Sequence, residues 1–197
     1  LALNGGRPEQ LTLRTFLTNF IAFREEVVAR RTAFELRKAR ERSHILCGLA
    51  VTVSNVDEIV ATIRASSDAA EAREKLMQRS WPANEIREYI ALIDDPTHKI
   101  NDDGSYNLSE AQVRAILELR LQRLTQIGVK EVTDELEALS FKIKDYLEIL
   151  ASRSKIMSII AGELNEVKEQ FSLTRRTEII DWAGDMEDED LIEREDM

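Results

Sequence analysis

"VKEVTDELEALSFKIKDYLEILASRSKIMSIIAGELNEVKEQF" (residues 129–171) decides the fold. Its apolar residues recur at alternating steps of three and four: Val129, Val132, Leu136, Leu139, Ile143, Tyr146, Leu150, Met157, Ile160, Leu164, Val167 and Phe171. Only Arg153 interrupts them. A mean spacing of 3.5 keeps one stripe of a helix turned toward one partner, which is the pattern of a coiled coil. The expected core positions are Leu136, Leu139, Ile143, Tyr146, Leu150, Met157, Ile160, Leu164, Val167 and Phe171. Such a helix reaches roughly 65 Å. The serines beside Arg153 mark an expected kink, with Ser152 or Ser154 capping a new segment.

The partner of that helix lies upstream. From Leu13 to about Ala65 there is no Pro and only one Gly, Gly48. Two apolar sets recur there at helical spacing: Phe16, Phe20, Phe23, Val27 and Phe34, then Leu36, Ala39, Ser43, Leu46, Ala50 and Val53. A continuous helix of this length spans roughly 75 Å. A long helix out and a long helix back must run antiparallel if the chain is one unit. Ahead of the first, residues 1–13 read as a hairpin around Asn4-Gly5, with Thr12 capping the helix.

Between the long helices the character changes. "SSDAAEAREKLMQR" is a shorter helix with Ser66 or Ser67 as its cap. "WPANEIREYIALID" is another, with Pro82 near its start. Asp103-Gly104 is expected to close a small hairpin between "HKIN" and "SYNL". "LSEAQVRAILELRLQRLTQIG" (108–128) follows. Ser109 with Gln112 forms a capping box, and Gly128 is the expected stop. Val113, Ile116, Leu117, Leu121, Leu124 and Ile127 make one broad stripe at about 100° per residue. Leu119, Ala111 and Ala115 fall opposite. One face serves this chain's own core, and the second requires another occupant. Arg120 sits inside the stripe. It either forms a desolvated ion pair at a contact or lays its stem on the stripe with its head in water.

The expected class is therefore mainly α: a long antiparallel coiled-coil hairpin, a small helical globular domain at its tip and a short β element at its base. The expected boundaries are 1–13 for the base hairpin and 14–65 for the outgoing helix. The globular domain takes 66–128 and the returning helix 129–171. A base strand "RRTEII" falls in 172–182 and an acidic linker in 183–197.

Bulk properties exclude several functions. The 197 residues carry a net charge of −10. Residues 178–197 hold ten acidic residues against Arg194, a charge of −9, which leaves −1 for the rest. A near-neutral body lacks the cationic excess that dominates phosphate-backbone binding. The richest local stretch, Arg24–Arg42, has seven basic residues against four acidic. No stretch approaches the roughly 18 apolar residues of a membrane span. Cys47, the only cysteine, suits a reducing compartment. His44 and Cys47 are spaced to supply two metal ligands, but a structural zinc takes four, so no metal site is expected. "KINDDGSYNLSE" fails as a calcium loop because Lys99 stands where a carboxylate is required. No phosphate-binding glycine motif or nucleophile elbow occurs. The chain starts at Leu1 and reads as a piece of a longer protein.

Three stretches carry a family resemblance: "FREEVVARRTAFELRKARERSHILCGLAVTVSNVDEIVATIR" (23–64), "LSEAQVRAILELRLQRLT" (108–125) and "VKEQFSLTRRTEI" (167–179). Together and in order they resemble the A subunits of bacterial DNA gyrase, a type IIA topoisomerase. The A subunits of topoisomerase IV share the architecture, while "RRTAFELRKARERSHIL" and "RRTEI" look more like gyrase. The resemblance implies a cytoplasmic, ATP-dependent enzyme that passes one DNA duplex through a double-strand break and introduces negative supercoils. In it a coiled-coil arm ends in a domain that dimerises with its twin to form the exit gate. The implied contact residues are Ala115, Ile116, Leu119, Arg120 and Arg123. The implied partners are a second copy of the chain and the gyrase B subunit, in an assembly of two A and two B subunits. DNA would be bound mainly outside this chain. The family's catalytic tyrosine follows an Arg, whereas Tyr89, Tyr106 and Tyr146 follow Glu, Ser and Asp. No catalytic residue is therefore expected here. No cofactor is expected either, since the resemblance assigns ATP and magnesium to the B subunits. The alternative function is an arm that binds nucleic acid or a protein directly through Arg24–Arg42.

Overall fold

The computed structural model describes residues 2–83, 86–93, 99–119 and 129–178. The chain divides into two compact units, Leu1–Ala161 and Gly162–Met197. Its described secondary structure is mainly helical, with two small antiparallel sheets.

Strand β1 (Ala2–Asn4) pairs with β2 (Arg7–Glu9), with Asn4 opposite Arg7. The two loop residues, Gly5 and Gly6, have φ of 57° and 81°. A type I′ hairpin turn needs positive φ at both positions, and glycine adopts it without Cβ strain. Helix α1 (Leu13–Ser54) follows, and the Thr12 side chain accepts from the Thr15 N–H at 3.2 Å.

The outgoing helix is not continuous to residue 65. It breaks at Asn55, and α2 (Val56–Arg64) leaves at 91° to α1. Asn55 Nδ2 donates to the carbonyls of Val51 and Pro82 at 2.8 and 3.4 Å. The side chain thus ties the turn to a distant segment and competes with the helical ladder. Helix α3 (Ala69–Gln78) is capped by Asp68, not by either serine: Asp68 Oδ1 accepts from the Glu71 N–H at 2.8 Å. Glu71 in turn reaches back to the N–H and hydroxyl of Ser67, each at 2.6 Å.

Pro82 is not at a helix start. It closes β3 (Ser80–Pro82), which pairs with β4 (Ser105–Asn107), Trp81 facing Tyr106. The expected local hairpin before β4 is replaced by a turn. The Ser105 carbonyl accepts from Asn101 N at 2.8 Å, and the Asn101 carbonyl from Gly104 N at 3.0 Å. Helix α4 (Arg87–Ile93) lies between the two strands in sequence. Trp81, Tyr106, Leu46, Ile59, Leu76 and Leu136 are all buried in one core. Trp81 Nε1 donates to the Leu76 carbonyl at 3.0 Å, so its polar edge is satisfied inside.

Helix α5 (Glu110–Glu118) is shorter than the expected 109–127. Its C-cap, Leu119, has extended dihedrals (φ −72°, ψ 136°). Positions 120–128, including Leu121, Leu124, Ile127 and the expected stop Gly128, lie outside the described residues.

Helix α6 (Val129–Ala151) runs antiparallel to α1. Arg42 meets Glu135, and Ile143 packs with Leu36 and Ala39. Beyond α6, Arg153 reaches Glu25. The contacts descend α1 as they ascend the return path. Leu136 and Ile143 are fully buried, and Leu139, Tyr146 and Leu150 are half-buried against them. The chain breaks at Ser152, whose Oγ accepts weakly from Lys155 N at 3.4 Å, and continues as α7 (Arg153–Phe171). Ile160 is buried and Met157 half-buried.

Other expected core positions are exposed. Leu164, Val167 and Phe171, on the part of α7 in the second unit, are at the surface. So are Phe16, Phe20, Phe23 and Phe34 of α1. Residues 172–178 contain no strand, which removes the described part of the expected base strand. Positions 179–182 and the acidic linker 183–197 lie outside the described residues.

Candidate self-association surface

Helix α5 is fixed from its N-terminus. The Ser109 hydroxyl accepts from Gln112 N at 3.2 Å, and Gln112 Oε1 accepts from Ser109 N at 2.9 Å, completing the capping box. Two of the four orphan N–H groups of the helix start are thereby paired. The same two side chains dock α5 on α1. Gln112 Nε2 donates to the His44 carbonyl at 2.7 Å, and His44 Nε2 lies 2.7 Å from Ser109 Oγ. Tyr106 Oη adds a contact to Gln112 Nε2 at 3.0 Å. Gln112 is fully buried, and its amide is satisfied on both sides.

This docking turns Val113 and Ile116 into the core, both with no exposed surface. Ile116 is therefore not available to a partner, contrary to its expected place at a dimer contact. The apolar stripe is wide enough for its own chain to take it. Leu119 is half-buried and packs against the same core. Ala115 is half-buried, while Ala111, Arg114 and Glu118 are exposed. Arg120 and Arg123 lie outside the described residues. What remains open on α5 is a face with two alanines and mixed charge. Glu110 on this face is shared by Arg73 at 3.4 Å and Arg114 at 3.9 Å.

A groove of about 450 Å³ adjoins this face. Ala33, Leu36, Ile45, Ile93 and Ala111 line it together with the polar side chains of Arg37, Arg40, Glu41 and His44. Sequence patterning did not single it out, since Ala33 and Ala111 are unremarkable as residue types and only the fold brings them together.

The arm offers little to a polyanion. Arg30 pairs with Glu26 at 3.4 Å and Arg37 with Glu41 at 3.9 Å. Arg42 makes a bidentate pair with Glu135, Nε to Oε1 at 2.8 Å and Nη2 to Oε2 at 3.1 Å. Carboxylates thus neutralise several cations of the Arg24–Arg42 stretch.

The Cys47 thiol is buried. Burial pushes the Cys47 thiol up to about 12, against a smaller opposing effect of its hydrogen bond to Ser43. Among the described residues no three His, Cys, Asp or Glu side chains converge as metal ligands. Tyr106 is buried, Tyr146 packs on the α1–α6 seam, and Tyr89 lies against the main core.

These elements define a helical module: an antiparallel helix pair, α1 and α6, packed with shorter helices and a two-stranded sheet, with a face of α5 left open among the described residues. A family model for the A subunits of DNA gyrase and topoisomerase IV matches residues 1–165. The chain belongs to that family. It is 43% identical over 193 residues to the DNA gyrase A subunit of Granulibacter bethesdensis, covering 98% of this chain and 20% of the relative. The corresponding figures for the DNA gyrase A subunit of Rickettsia bellii are 43%, 100% and 22%. For that of Haemophilus influenzae they are 46%, 100% and 23%. The chain spans about a fifth of the length of these relatives.

Proposed function

We propose that this chain is the arm and exit-gate segment of a gyrase A subunit. The antiparallel helices hold a small domain away from the DNA-cleaving parts, and the domain closes against its twin. The parent enzyme passes one duplex through a double-strand break and introduces negative supercoils at the expense of ATP. ATP and magnesium act on the B subunits, and two A and two B subunits assemble in the cytoplasm. DNA is held mainly by parts of the enzyme outside this chain, and this segment supplies no catalytic tyrosine. The A subunit of topoisomerase IV is the nearest alternative parent. The match to gyrase A subunits over the full chain carries this reading. The open face of α5 supports the gate role.

The function of such a module is mechanical. Its contact must hold two subunits together while DNA is cut, and must open when a duplex leaves. A small face of alanines and paired charges suits reversible closure better than a large apolar one.

Light scattering on the purified chain tests the gate role. The expected mass is twice 22.5 kDa, falling to the monomer in Ala115→Glu. A monomer at every concentration, or a dimer indifferent to Ala115→Glu, overturns it.

A further inference from the structure

Four of the six phenylalanines of this chain lie on one side of α1. Phe16, Phe20, Phe23 and Phe34 keep between 41% and 60% of their surface exposed. At about 100° per residue they and Val27 fall within about 60° of one another. They lie opposite Val28, Thr32, Leu36 and Ala39, which are buried. From Phe16 to Val27 the steps are four, three and four, the spacing of a coiled-coil seam. We propose that this second seam is covered by a helix of the same A subunit lying outside these 197 residues. The inference rests on family membership and is independent of the gate reading.

The open seam has a definite end. Lys38 Nζ lies 4.6 Å and Arg37 Cζ 5.4 Å from the centre of the Phe34 ring. These cations occupy the ring of Phe34. The stretch left to a partner is therefore Phe16, Phe20, Phe23 and Val27, roughly 17 Å long at about 1.5 Å per residue. That length suits one short helix.

Cover is missing beside the seam as well. Leu3 is 75% and Leu13 76% exposed. In the β1–β2 hairpin only Ala2 is half-buried, and the other paired residues are exposed. A two-stranded hairpin is marginal in water without something to pack on. Hairpin and seam thus lack cover at the same end of α1, and exposed apolar surface of this extent marks a contact.

The occupant follows from chain length and spacing. The chain spans about a fifth of the length of its gyrase relatives. On this proposal the rest of the subunit is tethered to α1 and meets it at an effective concentration far above that of a separate partner. Apolar knobs at steps of three and four seat in holes on another helix, so the seam selects a helix.

Photo-crosslinking in the complete A subunit, without B subunits or DNA, tests the proposal, with circular dichroism as the check of folding. Phe20→p-benzoylphenylalanine is expected to join a peptide outside these residues whose apolar positions recur at steps of three and four. The product is expected to keep the mass of one subunit on a denaturing gel. Twice that mass assigns the seam to a second copy and overturns the proposal. A crosslink within these residues, one to a peptide without that spacing, or none at all also overturns it. Hydroxyl-radical footprinting of the unsubstituted subunit gives an independent reading. Phe16 and Phe23 are expected to be protected relative to the urea-unfolded subunit, and labelling at the unfolded rate overturns the proposal. None of these outcomes bears on the Ala115→Glu test of the gate.

Discussion

Gly48 of α1 lies directly beneath Gln112 of α5: a Cβ at position 48 would meet Gln112 Cβ and Cγ at 2.7 Å each. Those are the root atoms of a buried side chain, so they cannot swing aside. Alanine normally favours a helix over glycine by about 1 kcal/mol. Here overpacking outweighs that gain, and Gly48→Ala is expected to destabilise the chain by about 1–3 kcal/mol. Urea unfolding checks it through a lower midpoint at unchanged slope. A midpoint at or above wild type would refute the close approach.

Ser109 serves twice, as cap of α5 and as partner of His44. Ser109→Ala removes the cap and leaves a buried N–H without its acceptor. A loss of about 1–2 kcal/mol is expected. Hydrogen exchange should show the first turn of α5 losing protection while α6 keeps it.

Glu71 titrates far below an ordinary glutamate, lowered to about 2. The Lys75 side chain is the main cause, at 2.7 Å, with the Ser67 hydroxyl and N–H behind it. A depressed carboxyl stabilises the fold above its unfolded value and loses that contribution as pH falls through its folded value. The window here runs from about 4.5 down to about 2. A carbon-detected NMR titration should find the Glu71 carboxyl still ionised near pH 3, and Lys75→Met should move its midpoint upward.

Cys47 has the opposite displacement. Its folded pKa of about 12 lies above the ordinary thiol value of 9.0. The stability linked to its proton is complete below about 9 and is lost as pH rises toward 12. At pH 8 the buried thiol is almost wholly protonated, so a thiol reagent should leave the native chain unmodified and label it fully in denaturant. Rapid labelling of the native chain would contradict the burial.

Local signals were readable from sequence because their physics is local. Thr12 and Ser109 cap helices through atoms three residues away, and the turn expected around Asn4-Gly5 forms one residue later, at Gly5 and Gly6. The start of α3 was misplaced onto Ser66 or Ser67, although Asp68 beside them is an equally good cap. Glu71 resolves it by engaging Ser67 while Asp68 takes the cap. The break at Asn55 was hidden: no Gly or Pro marks it, and one of its hydrogen bonds goes to Pro82, distant in sequence. The β3–β4 pairing was hidden for the same reason, since nothing near Asp103-Gly104 announces Ser80–Pro82 as the partner.

The candidate surface was legible only in outline. An apolar excess on 108–128 was visible, but which residues face inward depends on how Gln112 anchors α5 to α1. That anchor consumes Ile116 and half of Leu119, and leaves Ala111, Ala115 and Glu118 outward. The amphipathic pattern of α1 misleads for a related reason. Its phenylalanines recur at helical spacing, yet burial follows Val28, Thr32, Leu36 and Ala39, where the returning path lies alongside.

The pairs Arg42–Glu135 and Glu25–Arg153 stand as two rungs between the helical rails, roughly 25 Å apart along α1 at 1.5 Å per residue. Each is exposed on at least one side and adds little to stability. Their value is in register. Sliding one rail by a helical turn misaligns both rungs together, while the joint at Ser152 lies next to the second. Between the two rungs α1 runs as one unbroken helix, whereas the opposite rail is interrupted at Ser152, beside the second rung.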